Sequence, residues 1–247
     1  MRGLRQLTWT EFKLNLRDPL MVFWSIAFPT LWLVFMAAIF TEPIPGFSYH
    51  GLNHASFLLP ASIGLVILSA SFIGIPLTLT NYRENLVLKR LRVTPVRTTT
   101  LVVSFSISQF VFILLGIAIL LLIALTIFKA QVLGSWLAFI AVLLFGMLTF
   151  LAIGGAIGSI APSFRAANII IWTLFAPMII LSELFMPLDL LPPWLQTLAQ
   201  LIPLTPVVTL LRDIVFGVEL HDLWRLGILA AWFFAAVLTT RFFFRWE

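Results

Sequence analysis

The stretch Asn81–Arg97, NYRENLVLKRLRVTPVR, separates two uncharged runs that are each long enough to cross a bilayer, and its reading decides how the chain is threaded. It carries Arg83, Lys89, Arg90, Arg92 and Arg97 against the single acid Glu84. Short loops rich in Lys and Arg stay on the cytoplasmic side during insertion. This loop is therefore expected inside the cell, and the other segments are oriented from it.

Composition supports that reading. Of 247 residues, 61% are hydrophobic and 10% charged, and the mean hydropathy is +1.09; a soluble domain of this size could not bury so much apolar surface. Apolar runs of some twenty residues recur, which favours spanning helices over barrel strands of about ten alternating residues. The net charge of +5 comes from residues at the ends of these runs, so it reads as a topological signal and no nucleic-acid partner is expected. The chain has no cysteine, which excludes disulfides and thiolate metal sites. No cleavable leader is expected, because Arg2, Arg5, Lys13 and Arg17 precede no short apolar core with a small-residue cleavage site.

In chain order, residues 1–18 mix basic residues with Leu4, Leu7, Trp9, Phe12, Leu14 and Leu16 and are expected to form an interfacial helix. Asp18-Pro19 reads as a helix start. Spans are expected over 21–40, 55–80, 100–127, 135–160, 166–183 and 223–243. Pro29 should kink the first by removing a backbone hydrogen bond. Gly154 and Gly158 in the fourth form a small-xxx-small pair suited to close helix packing. Glu183–Leu211 is apolar but broken by Pro187, Pro192, Pro193, Pro203 and Pro206, so two short helices dipping in and returning are expected, with 186–206 as an external re-entrant hairpin.

Six spans put both termini in the cytoplasm. The inner side then holds Arg2, Arg5, Lys13, Arg17, Arg83, Lys89, Arg90, Arg92, Arg97, Arg165, Arg241 and Arg245, and the outer side Lys129, Arg212 and Arg225. The fold class is thus an all-α integral membrane protein in the cell's inner (cytoplasmic) membrane, a single transmembrane domain over 1–247.

The loop at 81–97 has the makings of a rigid lever. Val87, Leu88 and Leu91 supply an apolar face, Glu84, Lys89, Arg90 and Arg92 surround it, and Thr94-Pro95 would stop the helix and aim the chain into the third span. Alternatively, its positive charges only anchor topology and meet anionic lipid. Glu183 stands out because a carboxylate beside a re-entrant segment is costly in hydrocarbon and often functional. Together with Phe185 and Trp172 it is a candidate for the substrate pathway. Arg212 is a possible partner for Glu183 or Asp213. Trp24, Trp136, Trp194 and Trp224 suit membrane interfaces. His50 and His54 are four apart, but further ligands are lacking and no metal site is expected. There is no HExxH, GxSxG or intramembrane carboxylate pair to indicate an enzyme, and no GxxxxGK[ST] phosphate loop.

Two segments resemble the membrane subunits of type-2 ABC exporters, in the branch that includes daunorubicin-type drug exporters and nodulation-factor exporters. The first is Arg83-Glu84 followed by Leu88–Val96, LKRLRVTPV, similar to the family's cytoplasmic run; here Leu86-Val87 stand where Gly-Thr is usual. The second is Met186–Asp189, Leu191–Leu195 and Pro203–Pro206 ahead of Arg212, similar to the pattern before the family's last span; Ser182-Glu183 stand where that family has a small Ser-Gly pair. Arg17-Asp18-Pro19 is a third match. The resemblance implies a half-transporter, in which two copies, or this chain and a homologue, form the pathway for an amphipathic, drug-like or lipid-linked substrate moving outward. Two separate ATPase subunits would dock on the cytoplasmic face, binding ATP and Mg themselves and gripping a coupling helix that includes Glu84, Leu88, Lys89, Arg90, Leu91, Arg92, Thr94 and Pro95. An ATP-independent channel or secondary carrier is the alternative.

Overall fold

The computed structural model describes residues 2–39, 52–87, 98–182, 191–218 and 224–243. Among them every regular element is helical: α1 (Arg2–Arg17), α2 (Pro19–Val22), a π turn (Phe23–Ala27), α3 (Phe28–Ile39), α4 (His54–Glu84), α5 (Thr98–Thr126), α6 (Trp136–Ile160), α7 (Phe164–Leu181), α8 (Pro193–Leu201), α9 (Leu204–Val215) and α10 (Trp224–Phe243). Six stretches are long and apolar enough to cross a membrane: α2 to α3 taken together, α4, α5 (from Val103), α6, α7 and α10. The chain is a multi-pass, all-helical membrane protein.

Helix α4 is the central column. In its most apolar window 94% of residues are buried, against 11% in α10, and it touches α3, α5, α6, α7 and α9. Small residues make these contacts possible. A Cβ added at Gly154 of α6 would lie 2.5 Å from the Ser71 carbonyl oxygen, and one at Gly158 would lie 3.1 Å from the Pro76 Cα. The small-xxx-small pair thus seats α6 against α4 at backbone distance.

The first span accommodates Pro29 through a change of helical pitch. Pro29 has no N–H to offer the carbonyl of Ser25, and the helix widens just before it into one π turn, with the Phe28 N–H reaching back to the Phe23 carbonyl. The freed Ser25 carbonyl lies against Gly116 of α5, within 3.5 Å of where a Cβ there would stand. At the helix start, the Asp18 carboxylate accepts from the Leu20 and Met21 N–H groups, and Pro19 occupies the first turn.

Of the proline-broken stretch, residues 191–215 are described. Helices α8 and α9 meet at 94° across a short break, the geometry of a broken span or a re-entrant loop; residues 186–190 of the expected hairpin lie outside the described residues. Whereas α8 exposes Trp194, Leu198 and Leu201, α9 is a wedge: Val208 fills the space beside Gly64 of α4, and Val207 the space beside Gly146 of α6. Backbone and hydroxyl groups along it find partners in the protein, as suits an element shielded from water. Thr205 donates to the Leu181 carbonyl, and the Leu133 and Gly134 N–H groups meet the Val215 and Ile214 carbonyls. The buried helix runs nine residues past 206, because Leu210, Leu211, Ile214 and Val215 continue its apolar face.

Gly154→Ala should force α6 away from α4, costing about 1–3 kcal/mol as overpacking does. Gly155→Ala should be nearly neutral, since the nearest atom to its Cβ is the Thr240 hydroxyl at 3.5 Å. Thermal unfolding of the two purified variants in detergent tests the contrast; equal midpoints would contradict the packing.

Candidate functional site at the basic end of the bundle

Charged side chains divide between the two ends of the bundle. Among the described residues Arg5, Lys13, Arg17, Arg83, Arg165 and Arg241 belong to one end, and Lys129, Arg212 and Arg225 to the other. At that second end Asn53 donates to the carbonyls of Phe128 and Lys129. Asp213 pairs with Arg225 at 2.8 Å, while the Arg212 guanidinium lies 4.9 Å from the centre of the Phe57 ring. His54 is buried in the first turn of α4 beside Phe57. His50 lies outside the described residues.

At the basic end α4 continues four residues beyond Thr80, because Tyr82, Arg83 and Glu84 all find partners there. Arg83 donates to the Ala161 carbonyl at 2.8 Å and the Gly158 carbonyl at 3.2 Å. These carbonyls end α6, where a helix has none of its own partners left. Glu84 accepts from the Phe164 N–H at 2.8 Å, which opens α7, and Ser163 caps the same helix by accepting from Ala166. A cation at a helix C-terminus and an anion at a helix N-terminus both oppose the local dipole. One dipeptide therefore clamps both sides of the α6–α7 turn.

Immediately after this clamp Leu86 adopts a φ of 56°, a left-handed conformation that glycine reaches freely and other L-residues do not. It is one of the two positions where the chain departs from the Gly-Thr step of the type-2 exporters. The turn is made without the glycine, and its Leu86 N–H bonds the Arg83 carbonyl at 3.1 Å.

The interfacial helix is tied to the same place. Its inward stripe is Leu4, Leu7, Thr8, Glu11, Phe12 and Asn15, at helical spacing. Glu11 is 7% exposed and accepts from the Tyr82 hydroxyl, 3.0 Å from Oε1 and 3.3 Å from Oε2. Burial pushes its carboxyl up to about 7, and the Tyr82 hydrogen bond opposes that rise. One turn on, Asn15 donates to the Gln109 Oε1 at 3.2 Å, and Gln109 donates to the Ala70 carbonyl at 2.8 Å. The Gln109 amide lies where a side chain at Gly74 would stand.

Beside this network a cleft of about 700 Å³ opens between α1, α2, α4 and α7. Glu11 and Asn15 line it, with Trp24 and Trp172 forming an aromatic wall, ring centroids 5.5 Å apart in an edge-to-face arrangement. Of the residues singled out from sequence, Glu84 and Trp172 fall on this end, Glu84 on the clamp and Trp172 on the cleft. Leu88, Lys89, Arg90, Leu91, Arg92, Thr94, Pro95, Glu183 and Phe185 lie outside the described residues. Glu11 and Tyr82 were not singled out. The signal for Glu11 was the lone acid of 1–17 falling on the stripe of Leu4, Leu7 and Phe12.

The bundle thus defines a class: a helical, multi-pass membrane protein with a clamped turn and a docked interfacial helix at its basic end. A family model described as ABC-2 type transporter matches residues 2–216. The chain belongs to that family and is the membrane permease subunit of an ABC transporter, a membership that implies an ABC ATPase as partner. A search of curated proteins found no match.

Two outcomes follow. Because the folded chain keeps Glu11 protonated to about 7 while an ordinary glutamate gives up its proton near 4.5, the stability tied to that proton is complete below 4.5 and is lost as pH rises through 7. The thermal midpoint should fall between pH 5 and pH 8, and Glu11→Gln should flatten the slope; an unchanged slope would contradict the burial. Leu86→Gly should raise stability by about 0.5–1 kcal/mol, since it relieves a left-handed residue whose side chain is 49% exposed. A lower unfolding midpoint would contradict strain there.

Proposed function

We propose that this permease exports an amphipathic, drug-like or lipid-linked substrate from the cytoplasmic side, driven by ATP hydrolysed on two separate ATPase subunits. ATP and Mg are bound by those subunits, and no cofactor by this chain. The pathway forms between two permease copies, as a homodimer or with a homologue. The chain sits in the cell's inner membrane with both termini cytoplasmic, which agrees with the bias of basic residues toward one end.

The observation that carries this reading is the family match over 215 of 247 residues, joined to a chain without a phosphate-loop motif. Work must then arrive through contact. The segment 81–97 is our assignment for that contact, with Val87, Leu88 and Leu91 as the apolar face, Glu84, Lys89, Arg90 and Arg92 setting register, and Thr94-Pro95 ending the helix. Its root is suited to the task. The Arg83 and Glu84 bonds tie it to α6 and α7, and the Glu11 to Tyr82 bond ties it to α1. A force on the segment would reach three helices without being absorbed by a loose joint. In this scheme substrate and nucleotide influence each other reciprocally. Glu183, Phe185 and Trp172 remain our candidates for pathway contacts.

Leu91→Asp should reduce recovery of a co-expressed ATPase in a pull-down by at least tenfold, since it places a charge in an apolar contact, while membrane insertion is unchanged. Recovery equal to wild type would overturn the coupling assignment. Labelling of single cysteines introduced in 81–97 should require a membrane-permeant reagent; labelling of intact cells by an impermeant one would overturn the orientation.

A further inference from the structure

We infer that the cleft between α1, α2, α4 and α7 binds the charged head of an amphipathic cation, with Glu11 as its counter-ion and Trp24 and Trp172 as its aromatic wall. This inference deepens the export reading, on which it rests, by naming a substrate class and the residues that select it.

Three features of the cleft point the same way. First, Glu11 is the carboxylate withdrawn from water among the described residues, and its described donor is a single neutral hydroxyl, that of Tyr82. A buried carboxylate held by one neutral donor is under-compensated, and a cation supplies what is missing. Second, the wall beside it is aromatic: the indoles of Trp24 and Trp172 meet edge to face, and indole faces attract cations, above all weakly hydrated ones. Third, much of the remaining lining is apolar, with Leu20, Met21, Leu77 and Ile171 among it, which suits a greasy body attached to a charged head.

Other charged and titratable groups do not reverse the sign. From α4 the group facing Glu11 is Tyr82, and from α5 the nearby polar groups are the neutral Ser108 and Gln109. At the mouth Arg17 and Asp18 oppose one another, both exposed, and the Asp18 carboxylate is already engaged by the Leu20 and Met21 N–H groups. Asn168 and Phe164 line the α7 side and carry no charge. Inward of the mouth, the charge in the described lining is that of Glu11.

The test uses two ions of nearly equal size and opposite charge, tetraphenylphosphonium and tetraphenylborate. Their binding to the full-length permease in phosphatidylcholine nanodiscs is measured by equilibrium dialysis, with empty nanodiscs subtracted. The cation should bind saturably and at least tenfold more tightly than the anion. Glu11→Gln should remove that preference. Because the probe's charge is permanent, cation affinity should fall roughly tenfold from pH 8 to pH 6 as Glu11 takes up its proton, and the variant should show no such change. Equal binding of the two ions, a preference that survives in Glu11→Gln, or uptake that never saturates would each overturn the inference. The wild-type comparison of the two ions stands even if the variant fails to fold. No nucleotide or ATPase enters the measurement. A permease that recovers its ATPase but does not discriminate the ions overturns this site alone, and one that discriminates but recovers no ATPase overturns the export reading alone.

Discussion

The architecture of the basic end hangs on the bridge that Arg83 and Glu84 make between the end of α6 and the start of α7. A helix that stops leaves four carbonyls without intrahelical partners, and one that starts leaves four N–H groups. Where two spans are joined by only Ala161–Ser163, both sets crowd together at one turn. A neighbouring side-chain pair of the right signs resolves this, and because the two charges are adjacent in sequence, α4 cannot shift without carrying the turn with it.

The same logic explains why α1 is docked rather than merely afloat on the membrane surface. A purely apolar stripe would be equally content against lipid. Thr8, Glu11 and Asn15 break the stripe, and polar groups turned away from water must be matched. Tyr82 and Gln109 match two of them at fixed distances, which sets the register of α1 against α4 and α5. Polar residues within the stripe therefore give α1 a specific seat, and the half-matched Glu11 gives that seat a chemical sensitivity which leucine would lack.

Much of this fold was legible in the sequence because the bilayer imposes a length. Uncharged runs of about twenty residues and the charges between them mark out six spans, and Pro29, Gly154 and Gly158 mark a helix irregularity and a close contact. Partners were harder to read. The place of Glu84 beside a basic run points to a coupling surface, but not to its bond to the first N–H of a helix eighty residues away, a pairing no local pattern contains. Glu11 was hidden for a related reason. An acid in a basic, amphipathic segment looks like part of a solvated face until the neighbours that remove its water are known. The depth of α9 was hidden too, since its prolines announce a break but not that Gly64 and Gly146 leave a slot for it.

Packing also says where this bundle can change shape. Helices α4 and α6 meet through glycines at backbone distance, and the valines of α9 fill the space beside Gly64 and Gly146; surfaces that close do not slide without losing the contacts that hold them. By contrast, the span of α2 and α3 has 28% of its apolar window buried and α7 has 22%. These are the helices that flank the cleft, and their other faces present apolar surface to lipid or to a second copy. The π turn at Phe23–Ala27 lies within the first of them, beside Trp24, where the helical ladder is already interrupted. A rearrangement that alters access to the cleft is therefore cheapest as a movement of α3 and α7 against the fixed α4 column, hinged at the π turn. Such a movement would separate Trp24 from Trp172, the pair that closes the cleft wall.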